Sequence, residues 1–201
     1  MLTLPTKIVL ASNNAGKLRE FQYLFNDWQC EVIPQKHFAI ADAEETGLSF
    51  IENALIKARH AAQLSGLPAL ADDSGIAVDV LNGAPGIYSA RYAGINANDQ
   101  LNNEKLLVAL RDVAPTQRSA RYLCAIAFVE HATDPTPIIT EGRWEGRILN
   151  APQGHGGFGY DPLFWLEEHQ QSAAELSSEI KNKISHRAQA LQLLRQRLGR
   201  V

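Results

Sequence analysis

Apolar and polar positions fall into short blocks that predict strands and helices in turn. Lys7 to Ala11 (KIVLA) is a β-branched, apolar run and reads as a buried strand. Leu18, Phe21, Leu24 and Phe25 then recur at helical spacing. Glu31 to Pro34 predicts a second short strand. Ser49-Phe50-Ile51-Glu52 fits a capping box, so a helix opens there and runs to about Leu64. Ile51, Leu55, Ala58 and Ala62 form its apolar stripe; Asn53 and Lys57, one turn apart, share a different face. Two apolar runs, Leu67 to Ala71 and Ile76 to Leu81, bracket Asp72-Asp73-Ser74-Gly75. Asn82 to Gly86 is a loop, and residues 87–92 carry no clear period. Asn98 or Asp99 can cap a helix bearing Leu101, Leu106, Leu107 and Leu110. Ser119 to Val129 and Ile138 to Ile148 read as long strands, joined by the turn-rich HATDPTP as an antiparallel pair. They exceed the usual ~5–6 residues, which points to an extended sheet. Leu163 to Leu166 is strand-like. Ser177 caps a turn through Ile184, and Ala188, Leu191, Leu194 and Leu198 stripe a last helix.

Composition narrows the class. The 201 residues are 45% hydrophobic and 20% charged, ordinary for a globular chain, and ample for a large core. They make one large domain or two small lobes, with no repeat, low-complexity tract or clear linker. The net charge of −3 argues against a general nucleic-acid binder. No apolar run approaches the ~20 residues that cross a bilayer. Met1 to Leu10 has one Lys and no cleavage-site pattern, so it does not read as a signal peptide. Cys30 and Cys124 lie far apart and read as small buried apolar residues. A cytoplasmic location is the expectation.

Chemistry concentrates in five places. Asp72 and Asp73 end a buried run, and buried carboxylates need compensation. A hard divalent cation such as Mg²⁺ supplies it; by itself, the stretch reads first as a tight turn and only then as a metal site. Ser12-Asn13-Asn14-Ala15-Gly16-Lys17 leads from strand to helix, a geometry suited to an anion. It is not a P-loop, since Leu18 follows the Lys, and a plain helix cap explains the Asn residues as well. Glu44 and Glu45 lie in a second acidic turn, where a solvated surface or a helix-dipole role is the simpler account. Gly154 to Gly159 matches G-x-G-x-x-G, yet Tyr160-Asp161-Pro162 follows instead of a helix, which removes the dinucleotide reading. A glycine loop carrying Phe158 and approaching a ligand remains. Lys181, His186 and Arg187 cluster near the start of the last helix, where a bound anion would relieve their conflict with the dipole.

SNNAGK (12–17), AEETG (43–47), ADDSG (71–75), GGFGYD (156–161) and SHR (185–187), in this order, closely resemble the inosine/xanthosine triphosphate pyrophosphatases, the Ham1-like family. FIENALIKARHAA (50–62) and GAPGIYSARYAG (83–94) extend the resemblance over nearly the whole chain. It implies an α/β fold with a long, twisted mixed β-sheet, flanking helices and two lobes around an active-site cleft, the whole chain forming one catalytic domain. It also implies a homodimer and Mg²⁺-dependent cleavage of dITP, ITP or XTP to the monophosphate and pyrophosphate. By motif, Ser12, Asn13, Asn14, Ala15, Gly16, Lys17 and Lys181 would hold phosphates, with Lys57 a further candidate. Glu44 and Asp73 would bind Mg²⁺, with Asp73 also the general base. Ser74 would lie against the substrate; Phe158, Gly159, Tyr160, Asp161, His186 and Arg187 would hold the base, Arg187 donating to its 6-oxo group. Asn13 departs from the glycine that many members carry, though Asn tolerates a left-handed turn.

The rival class is a purine-nucleotide binding module without turnover. It would keep the lysines and Phe158 but has no need of Glu44 and Asp73 beside the phosphates. A scaffold protein accounts for the core and for none of the five motifs.

Overall fold

A computed structural model describes residues 5–25 and 30–198; residues 1–4, part of the amino-terminal reading, lie outside it. The strands are β1 (Lys7–Leu10), β2 (Glu31–Pro34), β3 (Ala69–Val78), β4 (Ser119–Val129), β5 (Ile138–Ile148), β6 (Phe164–Leu166) and β7 (Gln171–Ser172). The helices are α1 (Ala15–Leu24), α2 (Phe50–Ser65), α3 (Asp99–Ala109), α4 (Ser178–Ile184) and α5 (His186–Arg197). The strands hydrogen-bond in the order β2-β1-β3-β4-β5-β6-β7. β1 runs parallel to β2 and β3, whereas β6 is antiparallel to β5 and β7, so the sheet is mixed. The α/β expectation holds. No helix among the described residues is long and apolar enough to cross a membrane.

The chain divides into two compact units: Met1–Asp73 with Cys124–Gly142 and Arg187–Val201, and Ser74–Leu123 with Arg143–His186. In the first, successive strand residues point to opposite faces. Ile8, Leu10, Leu70, Cys124, Ile126 and Phe128 meet Phe21 of α1, Phe25 at its carboxyl cap, and Ala190, Leu191 and Leu194 of α5. Val9, Ala69, Ala71, Ala125 and Ala127 meet Ala54, Ala58, Ala61 and Ala62 of α2. Both faces are covered, which is why these strands read as unbroken apolar runs. Large side chains fill one face, and alanines on both partners let α2 lie close on the other. In the second unit Ile76, Val78, Leu106, Leu110, Tyr122, Ile148 and Phe164 form a separate core. Each large side chain buried in these cores contributes about 1.5–3 kcal/mol.

Three sequence expectations need correction. The stretch Asp72-Asp73-Ser74-Gly75 is neither a turn nor a break, because β3 runs through it for ten residues. Gly75 is required there by crowding: a Cβ would overlap the Gly86 carbonyl and the Ser89 hydroxyl. On α2 the buried stripe is Asn53, Ala54, Ala58, Ala61 and Ala62, while Ile51 and Leu55 are half-buried. On α3 Leu101 is exposed, and Asn102 and Asn103 turn inward with Leu106. Of the two free cysteines, Cys124 is buried and Cys30 half-buried.

Candidate active site

Because β3 is extended, its adjacent carboxylates leave on opposite faces. Asp72 shares a face with Leu70 and so meets α1 and α5. Lys17 Nζ lies 3.1 Å from Asp72 Oδ2, and Arg187 Nη2 donates to the same oxygen at 2.9 Å. Arg187, 1% exposed, also donates through Nη1 to Glu20 of α1. Burial pushes the Asp72 carboxyl up, but Lys17 and Arg187, with Lys57 behind them, hold it far below the usual carboxylate range. The same two acids raise the pKa of Arg187 against the effect of burial.

Asp73 shares a face with Ala69 and Ala71 and so meets α2. Lys57 Nζ donates to Asp73 Oδ1 at 2.8 Å, and Asn53 Nδ2 to Oδ2 at 3.3 Å. The sequence placed Asn53 and Lys57 on one face, and that face holds Asp73. Lys57 also donates to Glu45 Oε1 at 3.0 Å. Burial outweighs the Lys57 ammonium, so the pKa of Asp73 lies above the ordinary value. Lys57 is raised in turn: Asp73, Asp72 and Glu45 overcome its desolvation.

The 12–17 turn is a real helix cap. Asn14 Oδ1 accepts from the Lys17 N–H at 3.0 Å, and the Ser12 hydroxyl accepts from the Asn14 N–H at 3.2 Å. Asn13 donates to Asp42 Oδ1 at 2.9 Å, as Gln35 does at 2.6 Å. Ala15 is exposed at the start of α1, with Gly16 buried behind it. The acidic loop is tied at several points: Ala41 to His60, Glu45 to Lys57, and the Gly47 N–H to Asn53 Oδ1. Glu44 is exposed on this loop.

In the second unit, Asp161 organises the glycine loop from a position 2% exposed. Its Oδ2 accepts from the Phe158 N–H at 2.9 Å and from Lys181 Nζ at 2.6 Å; its Oδ1 accepts from the Tyr122 hydroxyl at 3.2 Å. Gly157 (φ 73°) and Gly159 (φ 64°) adopt left-handed conformations that favour glycine. A Cβ on Gly157 would overlap the Asp161 carboxylate. Lys181 Nζ lies 4.9 Å from the centre of the half-buried Phe158 ring. The Tyr160 hydroxyl donates to the Ser89 carbonyl at 2.8 Å. His186 stacks on Tyr122 at 4.7 Å and 5°. Ser74, in β3 directly after Asp73, is half-buried.

The first unit thus gathers Lys17, Lys57 and Arg187 around the carboxylates of Asp72 and Asp73. The second gathers Phe158, Gly159, Tyr160, Asp161, Lys181 and His186. Glu20, Glu45, Asn53, Asp99, Asn103 and Tyr122 hold these groups in place and were not singled out as site residues. Asn53 carried a sequence signal in its helical spacing from Lys57, Glu45 in its acidic turn and Asp99 as a cap candidate; Glu20, Asn103 and Tyr122 carried none. Glu20 and Arg187 are 167 residues apart, which no local pattern reports.

The oxygen donors around Asp73 and the acidic loop suit a hard cation. Among the described residues no group of three or more acidic, histidine or cysteine side chains forms a ready-made cage. Mg²⁺ is usually bound through one or two carboxylates plus substrate phosphates and needs no such cage.

An α/β sheet with lysine-paired carboxylates and a capped strand-to-helix turn defines a protein equipped for phosphate-bearing ligands. The Ham1 family pattern matches residues 8–197, and the chain belongs to that family. It is 58% identical over 194 residues to a dITP/XTP pyrophosphatase of Pseudomonas syringae pv. tomato, covering 96% of this chain and 98% of that one. The dITP/XTP pyrophosphatase of Vibrio cholerae is 57% identical over 188 residues, 94% of each chain. The solved HAM1 protein of Coxiella burnetii superposes with a TM-score of 0.89 at 52% identity, over 97% of this chain and 99% of that one.

Proposed function

We propose that the chain is a Mg²⁺-dependent pyrophosphohydrolase that converts dITP, ITP and XTP to the monophosphate and pyrophosphate, clearing deaminated purine nucleotides before they enter DNA or RNA. The observation that carries this reading is Asp73, a buried carboxylate of raised pKa held by Lys57 and Asn53 on a rigid strand. An elevated pKa in a carboxylate suits proton abstraction. The relatives' shared activity supports the substrate class.

Water attacks the α-phosphorus: a new O–P bond forms, the bond to the α–β bridging oxygen breaks, and that oxygen leaves with pyrophosphate. Asp73 receives the water's proton. Lys17 and Lys57 offset phosphate charge, which is most of what phosphoryl transfer asks of a protein. Asp73, with the acidic loop of Glu44 and Glu45, would hold Mg²⁺; when bound, the ion supplies charge neutralisation at the phosphates. Phe158 lies flat on the purine, His186 and Arg187 border it, and Lys181 joins the other lysines in offsetting phosphate charge. The same reading takes the protein as a cytoplasmic homodimer acting as one catalytic domain, the dimer supported by family resemblance. Light scattering that returned the mass of one chain would count against the dimer.

Pyrophosphate release from dITP is expected with Mg²⁺ and is lost in EDTA. In ¹⁸O-labelled water the label should enter the monophosphate; label in pyrophosphate would mean attack at another phosphorus. Asp73→Asn should fold and lose most turnover, and near wild-type kcat in that variant would remove Asp73 from the chemistry.

A further inference from the structure

Two residues of α3 hold the Phe158 loop from outside the site motifs. Gly159 donates its N–H to Asp99 Oδ2 at 2.6 Å, and its carbonyl accepts from Asn103 Nδ2 at 2.9 Å. Asp99 and Asn103 are four residues apart and therefore lie on one face of the helix. Just before them in the loop, the Phe158 N–H is taken by Asp161. Successive backbone groups flanking the Phe158 side chain are thus fixed by three side chains. Gly159, at φ 64°, is the residue whose backbone has the widest choice of conformations. The clamp falls where the loop would otherwise wander.

The helix is built for this task. Leu106 and Leu110 anchor its carboxyl half in the core, and Asn98 caps its start by accepting from the Leu101 N–H. Asn102 holds a second loop, accepting from the Ala93 N–H and donating to the Ala90 carbonyl. Asn103 is 9% exposed, and its Oδ1 has no hydrogen-bond partner among the described residues. A buried acceptor left in that state lowers stability. Leucine would fill the position without that penalty, so what asparagine adds there is its donation to Gly159.

We propose that Asp99 and Asn103 are positioning residues that pre-set the Phe158 loop to receive the purine, an inference that rests on the functional reading above. Pre-setting a loop lowers the ordering cost of binding. Losing it weakens the hold on substrate and transition state together, so the effect belongs in KM.

Steady-state hydrolysis of dITP by wild type, Asn103→Leu, Asp99→Ala and Asp99→Asn tests it. Asn103→Leu and Asp99→Ala should each raise KM about two- to tenfold, the scale of one lost hydrogen bond, with kcat within about twofold. Asp99→Asn keeps an oxygen that accepts from Gly159 and should restore a near wild-type KM. The thermal midpoint of Asn103→Leu should match wild type, since one unsatisfied group replaces another. Unchanged KM in both Asn103→Leu and Asp99→Ala overturns the clamp. A fall in kcat and thermal midpoint alongside the rise in KM overturns it too, by making the role structural. A wild-type protein inactive on dITP would instead sink the functional reading, and the clamp with it.

Discussion

At the scale of single residues, the decisive fact is that two adjacent aspartates have opposite environments. Asp72 is fully buried against Lys17 and Arg187, and its pKa is driven down; Asp73, beside Lys57 and Asn53, has a pKa that burial pushes up. The first is a permanent anion that ties α1, β3 and α5 together. The second is poised to take a proton. Their linkage to stability has opposite signs. Asp72 contributes stability that is complete above its unfolded value of ~3.9 and is lost as pH falls below it. Asp73 opposes folding as pH rises and it ionises. In EDTA, the wild-type urea midpoint should therefore fall as pH drops below about 4, with protonation of Asp73 offsetting part of the loss. Asp72→Asn should be weaker at pH 7 by about 3–5 kcal/mol, because Arg187 loses a buried partner. It should also lose less than wild type over the acid range. Equal acid losses in the two proteins would mean that Asp72 is not the group responsible.

At the scale of elements, α2 shows how packing serves chemistry. Its alanine face lies on Val9 of β1 and the alanines of β3 and β4, and the adjoining face delivers Asn53 and Lys57 to Asp73. Ala58, fully buried, sits in the middle. Ala58→Leu should cost about 1–3 kcal/mol by overpacking. That lowers the thermal midpoint by about 2–4 °C for each kcal/mol. It should also lower turnover, since α2 must shift and Lys57 moves with it. Wild-type turnover despite the lowered midpoint would show that Lys57 placement tolerates that shift.

Elements of this kind were largely legible before folding. The Ser49 cap, the limits of β4 and β5 and the stripe of α5 all follow from local rules of capping, length and period. The strand through Asp72 and Asp73 was not, because two carboxylates and a glycine resemble a turn unless their partners are known. Those partners, Lys17, Lys57 and Arg187, come from three distant helices. Asn103 was missed for the same reason: an inward-facing asparagine breaks the apolar pattern and reads as surface until Gly159 is seen beside it.

At the scale of the whole molecule, each unit has its own core and its own set of polar groups. On the proposed reading, choosing among purine triphosphates would fall to the second set and the start of α5. A 6-oxo purine offers an acceptor at C6 and a donor at N1, and adenine reverses both. Within the glycine loop, the Phe158 and Gly159 N–H groups are already given to Asp161 and Asp99. On the functional reading proposed above, the base would be read by His186 and Arg187, whose guanidinium also pairs with Asp72 and Glu20, and by the amino end of α5, whose dipole favours an oxygen over an amino group. Cationic donors aimed at a 6-oxo group leave adenine's amino group facing further donors. Sites built to hydrogen-bond a substrate group reject analogues lacking it by about 10⁴–10⁵. We expect efficient hydrolysis of dITP, ITP and XTP, little dependence on the 2′-hydroxyl, and very slow turnover of ATP and dATP. Arg187→Ala should narrow the gap between dITP and dATP, and its loss of the Asp72 and Glu20 pairs should lower stability as well. The comparison to make is kcat/KM for both nucleotides, at a temperature where the variant is folded. Equal wild-type rates on dITP and dATP would end the argument for base selection and leave the phosphate chemistry standing.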